Sequence, residues 1–208
     1  MSRRISVLLA AVAGGSLLLA SGCAGPQPSS GAGHRQVAAC ATPDKTDLFA
    51  LDPAATPAAP FDNSKLPPAV RIDENAHRLV ATRIGVGIQI YDRVNGAWVV
   101  REPQANLYDT ETGIQRGIHF AGPYWTDIDG SRVQAKISAD VDAPDAARNI
   151  TWLRLAAVEN FGSDDGVLRP VTFIQRVLTQ GGQPPSPQQG CGTVSVPYTA
   201  LYAFWSPR

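Results

Sequence analysis

The chain predicts an all-β fold, a β-sandwich or barrel of roughly seven to eight strands with little helix. Three observations carry this expectation. Side chains alternate with period two in one segment after another from about residue 70 onward. Turn dipeptides, Asn95-Gly96 and Asp129-Gly130, stand between alternating runs. Little helix-like sequence interrupts them, chiefly "DAPDAARN" before Ile150.

The first strand is read in "RLVATRIGVGIQIYDR". Val80, Ile84, Val86, Ile88 and Ile90 share one face; Arg83, Gly85, Gly87, Gln89 and Tyr91 share the other. Two glycines on one face mark a bulge or a close backbone approach. Asn95-Gly96 is a hairpin turn, and "AWVVRE" is its return strand. "IHFAGPYWTDIDGS" is read as a strand, a bend at Gly122-Pro123 and a hairpin about Asp129-Gly130. That hairpin pairs Tyr124-to-Ile128 with Arg132-to-Lys136. Its core face is expected to carry Tyr124 and Ile128, which leaves Trp125 partly exposed beside Asp127.

Farther on, a helical turn leads into the strand "ITWLRLAAVE". "VLRPVTFIQRVLTQ" has apolar residues on both faces, as a strand covered on two sides requires. In "VSVPYTALYAFW", Val194, Val196, Tyr198, Tyr202 and Phe204 share a face, and Pro197 marks an edge strand or a bulge.

The 208 residues are long enough for one domain behind a targeting leader. Arg3 and Arg4 precede a short apolar run, Ile5 to Leu19, too short and too Gly-rich for a membrane span. "LLLASGC" follows, and its small-small-Cys ending resembles the lipobox of bacterial lipoproteins. The resemblance implies removal of residues 1–22 and lipidation of Cys23, so the partner is a membrane reached through a lipid anchor. The alternative is an ordinary secretory signal. Ala24 after the cysteine resembles an outer-membrane sorting signal in a Gram-negative host; in a Gram-positive host the anchor lies in the outer face of the plasma membrane. Residues 23–39 form the lipidated cysteine and a flexible tether, 40–68 a Pro/Ala-rich strap with a short helix near Asp47–Leu51, and 69–208 the β domain.

Losing Arg3 and Arg4 leaves 16 basic against 18 acidic residues, net charge −2. With no basic run, nucleic acid is not a partner. Two cysteines remain, Cys40 and Cys191, and in an exported chain they are most simply a disulfide rather than two free thiols. It would close a 151-residue loop, for which chain entropy gives roughly 5 kcal/mol as an upper figure.

Taken in series, "GIQIYD", "NLYD", "GIHFAGPYWTDIDGSRV", "ITWLRLAA", "VTFIQRVLTQGG" and "VPYTALYAF" resemble the family catalogued as domain of unknown function 3455, found in exported bacterial and fungal proteins. The resemblance spans about Leu66 to Phe204 and implies no particular activity. Members often carry a cysteine after the Gln-Ile-Tyr motif, the natural partner for the late one; here Asp92 and Arg93 stand there.

For chemistry, His119 is the candidate acid–base group, with Asp109, Glu111, Asp127 and Asp129 near it in sequence. No nucleophile elbow and no partner constellation accompany it, so a strand histidine hydrogen-bonded to backbone is the preferred reading. The acids lack the further ligands of a calcium loop, so no metal and no cofactor is expected. Gln89, Tyr91, His119, Tyr124, Trp125, Gln175 and Arg176 are polar or aromatic residues inside apolar strands. They either form an internal network or line a pocket for a small polar or sugar-like ligand. The reading is therefore a non-catalytic binding module of the envelope; the alternatives are a structural or interaction protein and a hydrolase centred on His119.

Overall fold

The computed structural model describes residues 61–186 and 192–208. Cys23, Cys40 and Cys191, the leader, the tether, the helix expected near Asp47–Leu51 and the strap before Phe61 lie outside these residues. Eight strands form one closed antiparallel barrel in sequence order: β1 His77–Val94, β2 Ala97–Asp109, β3 Gln115–Phe120, β4 Tyr124–Thr126, β5 Arg132–Val141, β6 Trp152–Phe161, β7 Phe173–Gly181 and β8 Thr193–Pro207. Closure by β1 against β8 decides between the two all-β architectures: the protein is a barrel. Apart from two short 3₁₀ turns, Asn63–Lys65 and Pro68–Val70, the described elements are strands.

Local chemistry sets the joints. Asn95 and Gly96 both have positive φ, 49° and 83°, as a two-residue turn matched to strand twist demands. The glycines of β1 mark a close approach: a Cβ at Gly87 would stand 2.0 Å from the Gln104 carbonyl oxygen, and one at Gly85 2.5 Å from the Tyr202 ring. The Asp129-Gly130 turn is longer than a tight hairpin. Pairing ends at Thr126–Arg132, and Asp127 to Ser131 form a loop closed by an Asp127 N–H donating to the Ser131 carbonyl. A closed barrel has no edge strand for Pro197. Its carbonyl accepts from Gly182 N–H where β7 ends, beyond a register break between Val177 and Gln180. Proline cannot return the bond to Gly182 O, which accepts from the Tyr91 hydroxyl instead.

The two faces of β1 are used against their polarity. The lumen receives Arg83, Gly85, Gln89 and Tyr91, the more polar set, among Leu107, Trp125, Leu155, Tyr198, Tyr202 and Phe204. Ile84 points outward into a second apolar cluster with Val177, Leu201, Ala203 and Trp205. Leu66, Val70 and Ile72 cover that outer cluster. Gln175 locks the covering segment down. Its amide nitrogen donates to Val70 O at 2.6 Å and Asn63 Oδ1 at 2.9 Å, while its oxygen accepts from Trp205 Nε1 at 2.7 Å. The two-sided apolar pattern of β7 thus reflects the lumen on one side and the 61–72 segment on the other.

The expected orientation of the β4–β5 hairpin is reversed. Trp125 is 1% exposed and faces the lumen opposite Val133, whereas Ile128 is 65% exposed in the loop. Tyr124 lies outside, stacked on Phe120 with the Arg132 guanidinium 5.0 Å over its ring. Inside, the Trp125 ring stacks on His119 and meets the Tyr202 ring edge-on, contacts that the outward-facing Tyr124 replaces with Phe120 and Arg132.

Candidate functional site

The two ends of the barrel differ. At one end Arg83 of β1 donates to Asp109 Oδ2 at 2.7 Å and Asp127 Oδ2 at 3.2 Å, and Arg116 of β3 donates to Asp127 Oδ1 at 3.2 Å. Arg83 and Asp127 are buried. The 162–172 segment crosses this end: Val167 N–H donates to Asp129 Oδ2 and Leu168 N–H to Ser131 Oγ, and Leu168 and Val171 join the lumen core. Burial raises the Asp109 carboxyl, but hydrogen bonds from Thr112 and Glu111 and the Arg83 charge outweigh it and hold the group below its ordinary value. Asp129 is held low in the same way, by Ser131, Val167 and Arg116 against burial. Asp109, Asp127 and Asp129 thus serve closure of this end, Asp127 binds arginines rather than orienting His119, and Glu111 is exposed.

The other end is open, for a reason visible in the strand lengths. β3 and β4 have six and three residues between much longer neighbours. β2 pairs with β3 only from Ala105 onward, and β5 pairs with β4 only up to Gln134. Beyond these points the wall is missing between the first half of β2 and the second half of β5. Val100 pairs with lumen-facing Tyr91, and Ile137 with lumen-facing Leu155, yet they are 52% and 59% exposed. The slot admits solvent to the lumen.

Two adjoining cavities occupy this end. The inner, of about 240 Å³, reaches His119, Trp125 and the Ala121–Pro123 turn; the outer, of about 510 Å³, reaches Tyr91, Asp140 and Gln183. Gln89, Val100, Ile137, Leu153 and Arg176 line both. Five of the seven residues singled out in the sequence, Gln89, Tyr91, His119, Trp125 and Arg176, are therefore brought together. Two are not. Gln175 is fully buried on the outer face beneath the 61–72 segment, and Tyr124 packs outside the wall. Trp125 belongs to the site as a buried wall, not as the partly exposed stacking ring expected.

His119 and Trp125 are register partners across β3–β4, with rings stacked at 4.1 Å and 11°. His119 Nδ1 donates to Tyr124 O at 2.8 Å, which leaves Nε2 as an acceptor on a neutral ring. Burial drives its pKa down to about 3; the Tyr124 carbonyl opposes this and the Arg176 charge adds to it. Tyr91 donates to Gly182 O at 2.6 Å, and burial pushes its hydroxyl up to about 12 against the pull of Arg176. Arg176 Nη2 donates to Thr151 O at 2.9 Å, and among the described residues Arg176 makes no ion pair with a carboxylate. Three lining residues each carry one buried side-chain N–H without a partner among the described residues: Gln89 Nε2, Trp125 Nε1 and Arg176 Nε. The sequence missed Val100, Pro103, Ile137, Leu153 and Leu155 as lining residues. Their only signal was strand alternation, which any core position gives.

The chain is an eight-stranded up-and-down barrel, plugged at one end and open at the other onto a partly polar lumen; barrels of this size either fill their interior with side chains or leave room for one small molecule. The family model described as protein of unknown function (DUF3455) matches residues 74–206, and the chain belongs to that family. No curated protein and no solved structure matches the chain.

Proposed function

We propose that the protein is a lipid-anchored binding module of the cell envelope that holds a small molecule in the open end of its barrel. The observation that carries this reading is the open lumen itself, on whose lining Arg176 has no carboxylate partner among the described residues. A cation beside a cavity without a counter-charge is costly to hold out of water, so it is retained more readily where a ligand supplies that charge. Binding is favoured over hydrolysis because His119 spends Nδ1 on a backbone carbonyl and is held neutral by burial, with no carboxylate hydrogen-bonded to it among the described residues. A thermal-shift screen of the full chain against sugars, lipids, organic acids and metals tests it. A bound ligand raises the melting temperature in proportion to the logarithm of its concentration; a flat response across the panel overturns the reading.

The envelope address rests on "LLLASGC" after a basic and apolar leader. Mass spectrometry of the mature protein is expected to find an N-terminal Cys23 carrying acyl chains, and cleavage elsewhere would remove the anchor. A Cys40–Cys191 disulfide belongs to the same reading, and non-reducing peptide mapping is expected to recover the linked pair.

A further inference from the structure

We infer that the ligand is a monocarboxylate with an apolar body, its carboxylate set against Arg176, its body against the apolar wall. This rests on the binding reading above and names its ligand class.

Charge balance carries the inference. The inner cavity is lined by two cations, Arg101 and Arg176, and by no carboxylate. Arg101 is already compensated by Asp92 at 3.2 Å and Glu102 at 3.8 Å. Arg176 keeps its charge uncompensated among the described residues, half-buried between Leu153 and Tyr202 on the neighbouring strands. Asp140 lines only the outer cavity and forms no ion pair with Arg176. One uncompensated cation calls for one negative charge, whereas a phosphate dianion would leave charge over.

The donor inventory narrows the head group. The Arg176 guanidinium on the lining has donors and no acceptor, so the group set against it must accept. An ionised carboxylate is acceptor-only, with about four lone-pair sites, and charge-assisted bonds are roughly twice as strong as neutral ones. A sugar hydroxyl would satisfy a donor and leave the guanidinium uncompensated. Around these groups Val100, Ile137, Leu153 and Leu155 are apolar, and two of them are more than half exposed. An apolar body would cover surface that is otherwise wet, worth about 25 cal/mol per Å² removed from water. A cavity of about 150 Å³ holds a benzene ring, so about 240 Å³ admits one ring or a short bent chain, and the outer cavity takes a longer tail.

Isothermal titration of the full chain with octanoate, octanol and octylamine tests the class, with Arg176→Met and Arg176→Lys as variants. Octanoate is expected to bind at least tenfold more tightly than octanol, and octylamine not to bind. Arg176→Met is expected to erase the preference for octanoate over octanol, and Arg176→Lys to restore part of it. Melting curves establish that each variant is folded. Equal binding of octanoate and octanol overturns the carboxylate class while leaving a binding barrel. An octanoate preference that survives in folded Arg176→Met overturns the role of Arg176. Absence of binding by all three probes overturns the inference; the binding reading then stands or falls on the broader thermal-shift screen.

Discussion

Arg83 and Arg176 both point into the lumen of the same barrel, from β1 and β7, and their surroundings differ in kind. Arg83 is 7% exposed and meets two carboxylates, at 2.7 and 3.2 Å, under the 162–172 segment. Arg176 has one hydrogen bond to a backbone carbonyl and faces a cavity that opens through a gap in the wall. A guanidinium taken out of water with its charge and hydrogen bonds met closes a structure; one left partly unmet stores capacity for a partner. The difference originates in strand length. At the plugged end β2, β3, β4 and the loop after β4 run side by side and bring Asp109, Arg116 and Asp127 to Arg83. At the open end β3 and β4 stop short, and among the described residues they bring His119 and Trp125 but no carboxylate to the cavity that Arg176 lines.

Applying one substitution to both arginines gives the largest expected contrast. Arg83→Met strands Asp109 and Asp127 without their shared cation, and unfolding in denaturant is expected to show a loss of about 3–5 kcal/mol. Equal stability to the parent would mean that the ion cluster does not hold the plug. Gln175→Leu is next. It leaves the Trp205 indole N–H and the Val70 carbonyl without their partner, an expected loss of about 2–3 kcal/mol. Limited proteolysis is expected to cut within residues 61–72 sooner, and an unchanged digestion rate would show that Gln175 does not fasten that segment.

A pH effect sharpens the comparison from the histidine side. The folded pKa of His119, about 3, lies below its unfolded value of about 6.5. The unfolded chain therefore binds the extra proton first as pH falls. Stability is full above about pH 6.5 and declines toward pH 3, by at most about 1.4 kcal/mol per pH unit for this one proton. His119→Phe is expected to flatten that slope between pH 6.5 and 4.5, read from denaturant midpoints; an unchanged slope would place the titration elsewhere. Below about pH 4 the plugged end adds its own loss. Asp109 and Asp129 are held low in the folded state, so their contribution is present above their unfolded pKa and lost as pH falls through the folded one.

The smallest expected effect belongs to Arg176→Met. Replacing an uncompensated, half-buried cation by an apolar chain of similar length is expected to change the unfolding free energy by less than about 1 kcal/mol, of either sign. A loss as large as that of Arg83→Met would show that Arg176 is part of the frame and would erase the distinction between the ends.

The sequence by itself determined the strands, because alternation, the Asn95-Gly96 turn and the bend at Gly122-Pro123 are local properties of neighbouring residues. It also marked β7 as covered on both sides and collected most of the lining: Gln89, Tyr91, His119 and Arg176 stand out as polar groups in apolar runs. Alternation separates two faces without saying which is inside. Only tertiary structure chose the glycine-bearing polar face of β1 for the lumen, since closure against β8 requires Gly85 to admit the Tyr202 ring and Gly87 to admit the β2 backbone. The same choice turned Trp125 inward against the expectation. Gln175 and Arg176 are adjacent in sequence, and the barrel wall divides them: Gln175 fastens the covering segment outside, and Arg176 faces the cavity within. No local pattern contains that division, because it depends on which surfaces lie on either side of β7 once the barrel has closed.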